Sequence, residues 1–259
     1  VITNPPFLAR NKCKDKTLFD KYGVNDLYKC FIKELVNNKC LGGIIILPLN
    51  FWCSIRKMDI KLREMFLGVY QIEKLNIFEE KVFDDTTYSI CSFLFKRRYN
   101  QYNIFTALIF PSRKEYQFKL SNTNNYMIGG ELYLLPQEHE IKITRLIKDD
   151  IPNTNILLKC IDDSKESKIC LKIVDDENLK YDCTSNKSER SYATLCIEPS
   201  IDLEKQNILV HDFNKYLEEN REKYHSFFLS NYRESTDIPR KRISFDLAYK
   251  IVNYLLSQS

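Results

Sequence analysis

The chain is poor in glycine. Of its 259 residues only six are glycine, at positions 23, 42, 43, 68, 129 and 130, and no two are separated by a single residue. A G-x-G turn between a strand and a helix, which lets a backbone approach a nucleotide closely, is therefore excluded anywhere in the chain. Histidine is scarcer still. His139, His211 and His225 are far apart, and the nine cysteines (13, 30, 40, 53, 91, 160, 170, 183 and 196) never fall in a C-x-x-C spacing, so no zinc framework can be read. Scattered cysteines of odd number are expected as small core residues in a reducing compartment, which implies a cytoplasmic protein. No apolar run approaches the ~20 residues that cross a bilayer. The start lacks a basic segment followed by an apolar one, so no signal peptide is visible. It also lacks an initiator methionine, so the chain is expected to be part of a longer reading frame, completed by an upstream segment or a partner chain.

What is present describes a folded protein of one large or two smaller domains. Hydrophobic residues make up 44% and aromatic residues 13%. The net charge is +4 and unevenly spread. Residues 1–98 hold 17 Lys and Arg against 11 Asp and Glu, whereas 99–259 hold 22 against 24. A polyanionic partner would be drawn to the first part.

The most informative stretch comes first: Val1-Ile2-Thr3-Asn4-Pro5-Pro6-Phe7. A short apolar strand runs into two prolines, which fix φ and restrict the residue before them, so polar groups here sit on a stiff turn. An aryl amine such as adenine N6 is a poor nucleophile because its lone pair is delocalised into the ring. Two acceptors, the Asn4 side-chain oxygen and the Pro5 carbonyl, are suited to hold its two N–H bonds and localise that pair. Phe7 offers a flat face for an unstacked base. The same residues also suit a plain loop closing a strand. The following Arg10, Lys12, Lys14 and Lys16 read as a basic loop extending to Gly23, a clamp for a phosphate backbone or a solvated surface.

Further on, Leu27, Phe31 and Leu35 recur at helical spacing, with Lys29 off the stripe. Gly42-Gly43 leads into Ile44-Ile45-Ile46-Leu47-Pro48, the pattern of a strand buried on both faces of a parallel sheet. A helix is expected over 55–66, strands over 69–77 and 88–95, and a loop containing Val82-Phe83 between them. The last two strands follow one another without a helix and are expected as an antiparallel pair at the sheet edge.

Asn4-Pro5-Pro6-Phe7, Gly42-Gly43-Ile44-Ile45-Ile46-Leu47-Pro48 and Val82-Phe83, in that order, resemble the C-terminal half of the catalytic domain of N6-adenine DNA methyltransferases of the gamma arrangement, similar to the TaqI methyltransferase. The likeness covers about residues 1–98. It implies an α/β fold, the C-terminal half of a Rossmann-like methyltransferase sheet (residues 1–112), followed by an α+β target-recognition domain (113–259). It implies S-adenosyl-L-methionine as cofactor, with Asn4 and Pro5 beside its methyl, double-stranded DNA as partner, and Asn4, Pro5, Pro6 and Phe7 as catalytic residues. Phe83 would stack on the flipped adenine opposite Phe7, and a restriction–modification role would follow. The chain departs from the family in two ways: Phe7 replaces the usual tyrosine, and the glycine-rich cofactor turn is absent. A non-catalytic specificity subunit, or a related enzyme acting on cytosine N4, RNA or a protein glutamine, would share the tetrapeptide.

Beyond Arg98 no motif stands out. Strands are expected over 103–110 and 126–135, a helix over 138–148, short strands within 155–200, and helices near 213–228 and 247–255. Lys187 and Arg190 lie in a polar loop with donors for bases or phosphates. Arg240, Lys241 and Arg242 follow Pro239 as a basic turn and are further candidates for DNA contact.

Overall fold

The computed structural model describes all residues except 85, 87, 100–102, 163, 165, 182–190, 235–238 and 259, and no side chain of 231–234, 239 or 240. The chain forms two compact units, Val1–Gly130 and Glu131–Ser259. The division falls later than residue 112, because a cut there would split a hairpin of the first sheet.

That sheet belongs to a mixed α/β unit. Strand β1 (Ile2–Thr3) precedes helices α1 (Thr17–Tyr22) and α2 (Leu27–Asn38). Strand β2 (Gly42–Pro48) is followed by helices α3 (Asn50–Cys53) and α4 (Lys57–Val69). Then come β3 (Tyr70–Phe78), β4 (Ile90–Arg97), β5 (Asn103–Phe110) and β6 (Lys114–Leu120). The spatial order is β1-β2-β4-β3-β5-β6. β1 is parallel to β2 and β3 to β5, and the other pairs are antiparallel. The β3–β4 pair is thus antiparallel as expected but interior, since β5 and β6 continue the sheet past β3. β2 is not buried on both faces either: Ile45 and Leu47 are fully buried while Ile44 is 41% exposed.

The β1–β2 pairing explains one of the few glycines. A Cβ on Gly43 would lie 2.2 Å from the Val1 carbonyl oxygen, whose acceptance of the Ile44 N–H closes this end of the ladder. The core beside β2 and β4 is aromatic, with Phe51, Trp52, Phe66, Tyr70, Phe93 and Phe95 all buried and in successive ring contact.

Helix α2 turns a different face inward from the expected one. Tyr28, Lys29, Cys30 and Ile32 are buried, and Phe31 is 41% exposed. The cause is electrostatic: buried Lys29 pairs with buried Asp59 of α4. The expected loop before it is also more ordered, with a 3-10 turn at Arg10–Lys12 and α1 closed by Gly23 in the left-handed region (φ 59°).

The second unit is α+β. Strands β7 (Lys142–Arg145), β8 (Ile156–Lys159), β9 (Cys170–Ile173) and β10 (Tyr192–Glu198) form an antiparallel sheet in the order β7-β10-β8-β9. Helix α5 (Leu203–Tyr224) is capped by the Asp202 side chain, which accepts from the Lys205 N–H. Its Arg221 forms a bidentate buried pair with Asp162 at 2.9 and 3.1 Å. β11 (Ser230–Glu234) and β12 (Pro239–Arg242) make a two-stranded ribbon before helix α6 (Phe245–Leu256).

Three expectations fail here. Residues 126–135 form turns, with a 3-10 helix at Gly130–Leu134, and not a strand. The 138–148 segment contains β7 and no helix, because alternate residues Ile143 and Arg145 lie inward of exposed neighbours. The basic turn at 239–242 is strand β12.

None of the described cysteines forms a disulfide. Burial pushes the Cys160 thiol up to about 12, against the opposing pull of Arg242 and Arg145. Among the described cysteines, alkylation of the folded protein at neutral pH is therefore expected to spare Cys160 and the fully buried Cys91, and to mark partly exposed Cys13 before them. Peptide mapping after a short iodoacetamide pulse checks this order. No described helix is long and apolar enough to cross a membrane.

Candidate active site

β1 ends at Thr3 and hands the chain to Asn4 and the two prolines. Asn4 and Pro6 are exposed, Pro5 is buried and Phe7 is half-buried. Neither the Asn4 amide nor the Pro5 carbonyl is engaged by another group among the described residues. Immediately downstream the backbone is tied to the start of α2. The Leu27 N–H donates to the Leu8 carbonyl and the Arg10 N–H to the Asn25 carbonyl, both at 3.0 Å. The turn therefore sits between a sheet strand and a helix N-terminus, stiff at both ends.

Phe7 lies in an aromatic group. Its ring centre is 6.3 Å from that of Tyr28 at 88°, and 6.5 Å from that of Phe83 at 61°. Tyr28 continues inward to Phe51 at 6.5 Å and 85°, which anchors the group to the core. Phe83 is half-buried in the segment joining β3 to β4. Phe7 and Phe83, 76 positions apart in sequence, are thus neighbours. Their tilt matters. Sandwiching a base takes near-parallel rings about two 3.4 Å stacking steps apart, and at 61° the two rings touch edge to face instead.

Under this group lies a buried polar network that sequence reading missed. The Lys29 ammonium donates to the Asp59 carboxylate and, at 2.8 Å, to Asn25 Oδ1; the Ser54 hydroxyl donates to Asp59 Oδ2 at 2.6 Å. The Arg63 guanidinium, fully buried, donates to the carbonyls of Phe51 and Ser54 at 2.8 Å and of Asn125 at 3.3 Å. Burial lowers its pKa to about 10, so it stays cationic at neutral pH. Burial raises the Asp26 carboxyl, with Lys29 the largest opposing influence, and Asp26 Oδ1 has no hydrogen-bond partner. Burial likewise holds the Tyr28 phenol well above its ordinary range, so it remains neutral. Lys29 and Asp59 carry no local sequence signal, being 30 residues apart.

The basic residues are less concerted. Arg10 donates through Nε and Nη2 to Asp20 Oδ1 at 3.1 and 2.7 Å, while Lys12, Lys14 and Lys16 are exposed. In the second unit Lys241 and Arg242 are half-buried, and the Lys241 ammonium lies 5.9 Å from the Phe227 ring centre. Arg240 is placed by its backbone in β12. Lys187 and Arg190 lie outside the described residues. No group of three His, Cys, Asp or Glu that could hold a metal ion occurs among the described residues.

No protein-family model matches the chain, and no curated protein matches it. Solved structures resemble parts of it at low identity. The type IIL restriction-modification enzyme MmeI in complex with DNA is 14% identical with a TM-score of 0.34, over 61% of this chain and 24% of MmeI. A modification subunit of a putative type I restriction enzyme from Vibrio vulnificus YJ016 is 13% identical with a TM-score of 0.33, over 47% and 27%. The type I restriction enzyme EcoKI M protein is 12% identical with a TM-score of 0.30, over 86% and 48%. The matched part is thus about a quarter of the first two chains and about half of the third.

Proposed function

We propose that the first unit is the base-accepting half of an S-adenosyl-L-methionine-dependent DNA methyltransferase acting at adenine N6, and that the second unit is its target-recognition domain. The observation that carries this reading is the end of β1. Two acceptors unengaged among the described residues, the Asn4 amide oxygen and the Pro5 carbonyl, stand on a proline-stiffened turn that leads into the Phe7–Phe83 ring pair.

In this reading the target base leaves the duplex, at an unstacking cost of a few kcal/mol that ring contact with Phe7 and Phe83 helps offset. Asn4 and Pro5 accept the two amine N–H bonds, which turns the nitrogen lone pair out of conjugation. When bound, the cofactor would supply an electrophilic methyl group, its methyl–sulfur bond breaking as the nitrogen–methyl bond forms and the thioether leaving. After transfer the nitrogen carries a positive charge and releases one proton. The acceptors at Asn4 and Pro5 fit the methyl side of such a cofactor. With no G-x-G turn, its nucleoside would be held by residues outside this chain.

Methyl transfer from labelled S-adenosyl-L-methionine to mixed-sequence duplex DNA, followed by nucleoside analysis, tests the reading. It is run on this chain and on a version extended upstream of Val1. N6-methyladenine from the extended form is the expected product. N4-methylcytosine would move the substrate to another amine, and transfer to RNA or to a protein glutamine would remove DNA as substrate. Salt-dependent duplex binding without transfer from either form would favour a specificity subunit, the reading that the missing G-x-G turn supports.

Phe83→Ala offers a further check. Losing one aromatic face is expected to weaken retention of the extruded base by about 1–3 kcal/mol, and Phe83→Tyr should retain most of it. Fluorescence of 2-aminopurine at the target position reports the extruded state directly.

A further inference from the structure

Asp26 opens helix α2 in extended backbone (φ −144°, ψ 145°), yet its side chain caps none of the helix's N–H groups. Its backbone is committed to the segment that leaves the Asn4–Phe7 turn. Asp26 bridges Ala9 in antiparallel fashion, and the neighbouring Leu27 N–H donates to the Leu8 carbonyl at 3.0 Å. The carboxyl lies beside the Phe7–Leu8 peptide, close enough for the Leu8 N–H to act on it. Oδ1 is shut off from water and has no hydrogen-bond partner among the described residues.

Nor is the charge balanced by a cation. Lys29 is the largest influence opposing burial, but its ammonium is committed to Asp59 and, at 2.8 Å, to Asn25 Oδ1. The other ionisable groups nearby do not neutralise Asp26. Burial, with Asp26 adding to it, holds the Tyr28 phenol and the Cys30 thiol up, so both stay neutral. Asp59 and Arg63 of α4 act on Tyr28, and Arg10 pairs with Asp20.

A carboxylate held this way costs stability. Burial raises it above the ordinary carboxyl range, against Lys29 and the N–H groups of Tyr28, Leu8 and Leu27. A raised value means that the folded chain prefers the protonated form. That contribution to stability is complete below the ordinary carboxyl range and is lost as pH rises through the raised value. Charges kept at such a cost cluster where chemistry uses them. Methyl transfer puts a positive charge on the amine nitrogen, and a fixed negative charge near it would stabilise that change.

We propose that Asp26 supports the transfer step electrostatically, its carboxylate setting a negative field behind the Asn4–Phe7 turn, where the amine nitrogen becomes cationic. This rests on the reading that the turn polarises an amine. Asp26 acts through its field and touches neither base nor cofactor.

Asp26→Asn removes the charge at nearly constant shape and keeps a favourable N-cap residue. Two measurements separate field from scaffold. Urea unfolding of the full chain across pH needs neither DNA nor cofactor. Asp26→Asn should have a higher urea midpoint than the parent at neutral pH, and the gap should close in acid. Single-turnover transfer by the upstream-extended form should fall about tenfold in Asp26→Asn, the scale on which one partly screened charge acts on another. The parent's rate should also decline in acid as the carboxyl takes up a proton, and Asp26→Asn should lose that decline. Asp26→Glu, which restores the charge on a longer stem, should recover part of the rate and the acid decline. A residue that merely caps α2 would lower stability and rate together. A lower midpoint in Asp26→Asn, or an acid decline that persists in it, would therefore overturn the proposal. Transfer by the parent with no loss in Asp26→Asn sinks the electrostatic role alone. No transfer by the extended parent sinks the enzymatic reading and this role with it.

Discussion

Replacing Asn4 by alanine is expected to lower methyl transfer by about 10²–10³-fold in the upstream-extended form, the scale on which a single preorganised polar group at a reacting centre acts. Duplex affinity should stay unchanged. The separation follows from position. Asn4 is exposed and its amide is unengaged among the described residues, so its loss removes no described internal bond. Stability should accordingly move by no more than about 0.5 kcal/mol. In the proposed function the affinity for DNA would rest on charges elsewhere. Asn4→Asp keeps an acceptor at the same place and should retain more activity than Asn4→Ala. Single-turnover rates with saturating duplex measure the chemical step without the binding term. Full activity in Asn4→Ala would remove the amine-polarising role.

The second large effect concerns stability. Asp59→Ala is expected to destabilise the first unit by about 3–5 kcal/mol, because it leaves the Lys29 ammonium buried without its counter-charge. Both side chains are nearly inaccessible, at 5% and 6% exposure, so solvent does little to screen the stranded charge. Asp59 also accepts from Ser54, so that hydroxyl loses its partner too. The double variant Lys29→Met with Asp59→Leu removes both charges and should recover most of the loss. Urea unfolding followed by tryptophan fluorescence suits the test, since Trp52, the sole tryptophan, is buried in the same unit. If Asp59→Ala costs less than about 1 kcal/mol, the pair is not what sets the inward face of α2. The consequence for the site is direct. Residues 25–27 hold the segment after Phe7, and Tyr28 abuts the Phe7 ring. Loosening α2 should therefore lower base retention as well as stability.

Much of the first unit was legible in the sequence. The Asn-Pro-Pro-Phe turn after a short strand, the Gly-Gly strand, the helix before it and the β3–β4 hairpin all follow from local pattern. Proline removes freedom, glycine permits close approach, and apolar periodicity distinguishes strand from helix. Weak patterns misled where the residues themselves favour neither state. Residues 126–135 are apolar enough for a strand but turn instead, and 138–148 carries charge that suits a helix but forms β7.

Only the tertiary structure decided the rest, for reasons that act across distance. Periodicity placed Phe31 inward and Lys29 outward; the ion pair to Asp59 reverses both, because a buried cation must keep its counter-charge. Phe7 and Phe83 meet because β3 and β4 bring the loop between them back to the end of β1. The pairing of β11 with β12 shifts register between Asn231 and Arg233, and strand register is set by pairing partners that local pattern does not reveal. Sequence alone determined which polar groups and which ring follow β1 on a proline-stiffened turn. Folding decided which rings and charges stand beside it, since proximity between distant residues is a property of packing.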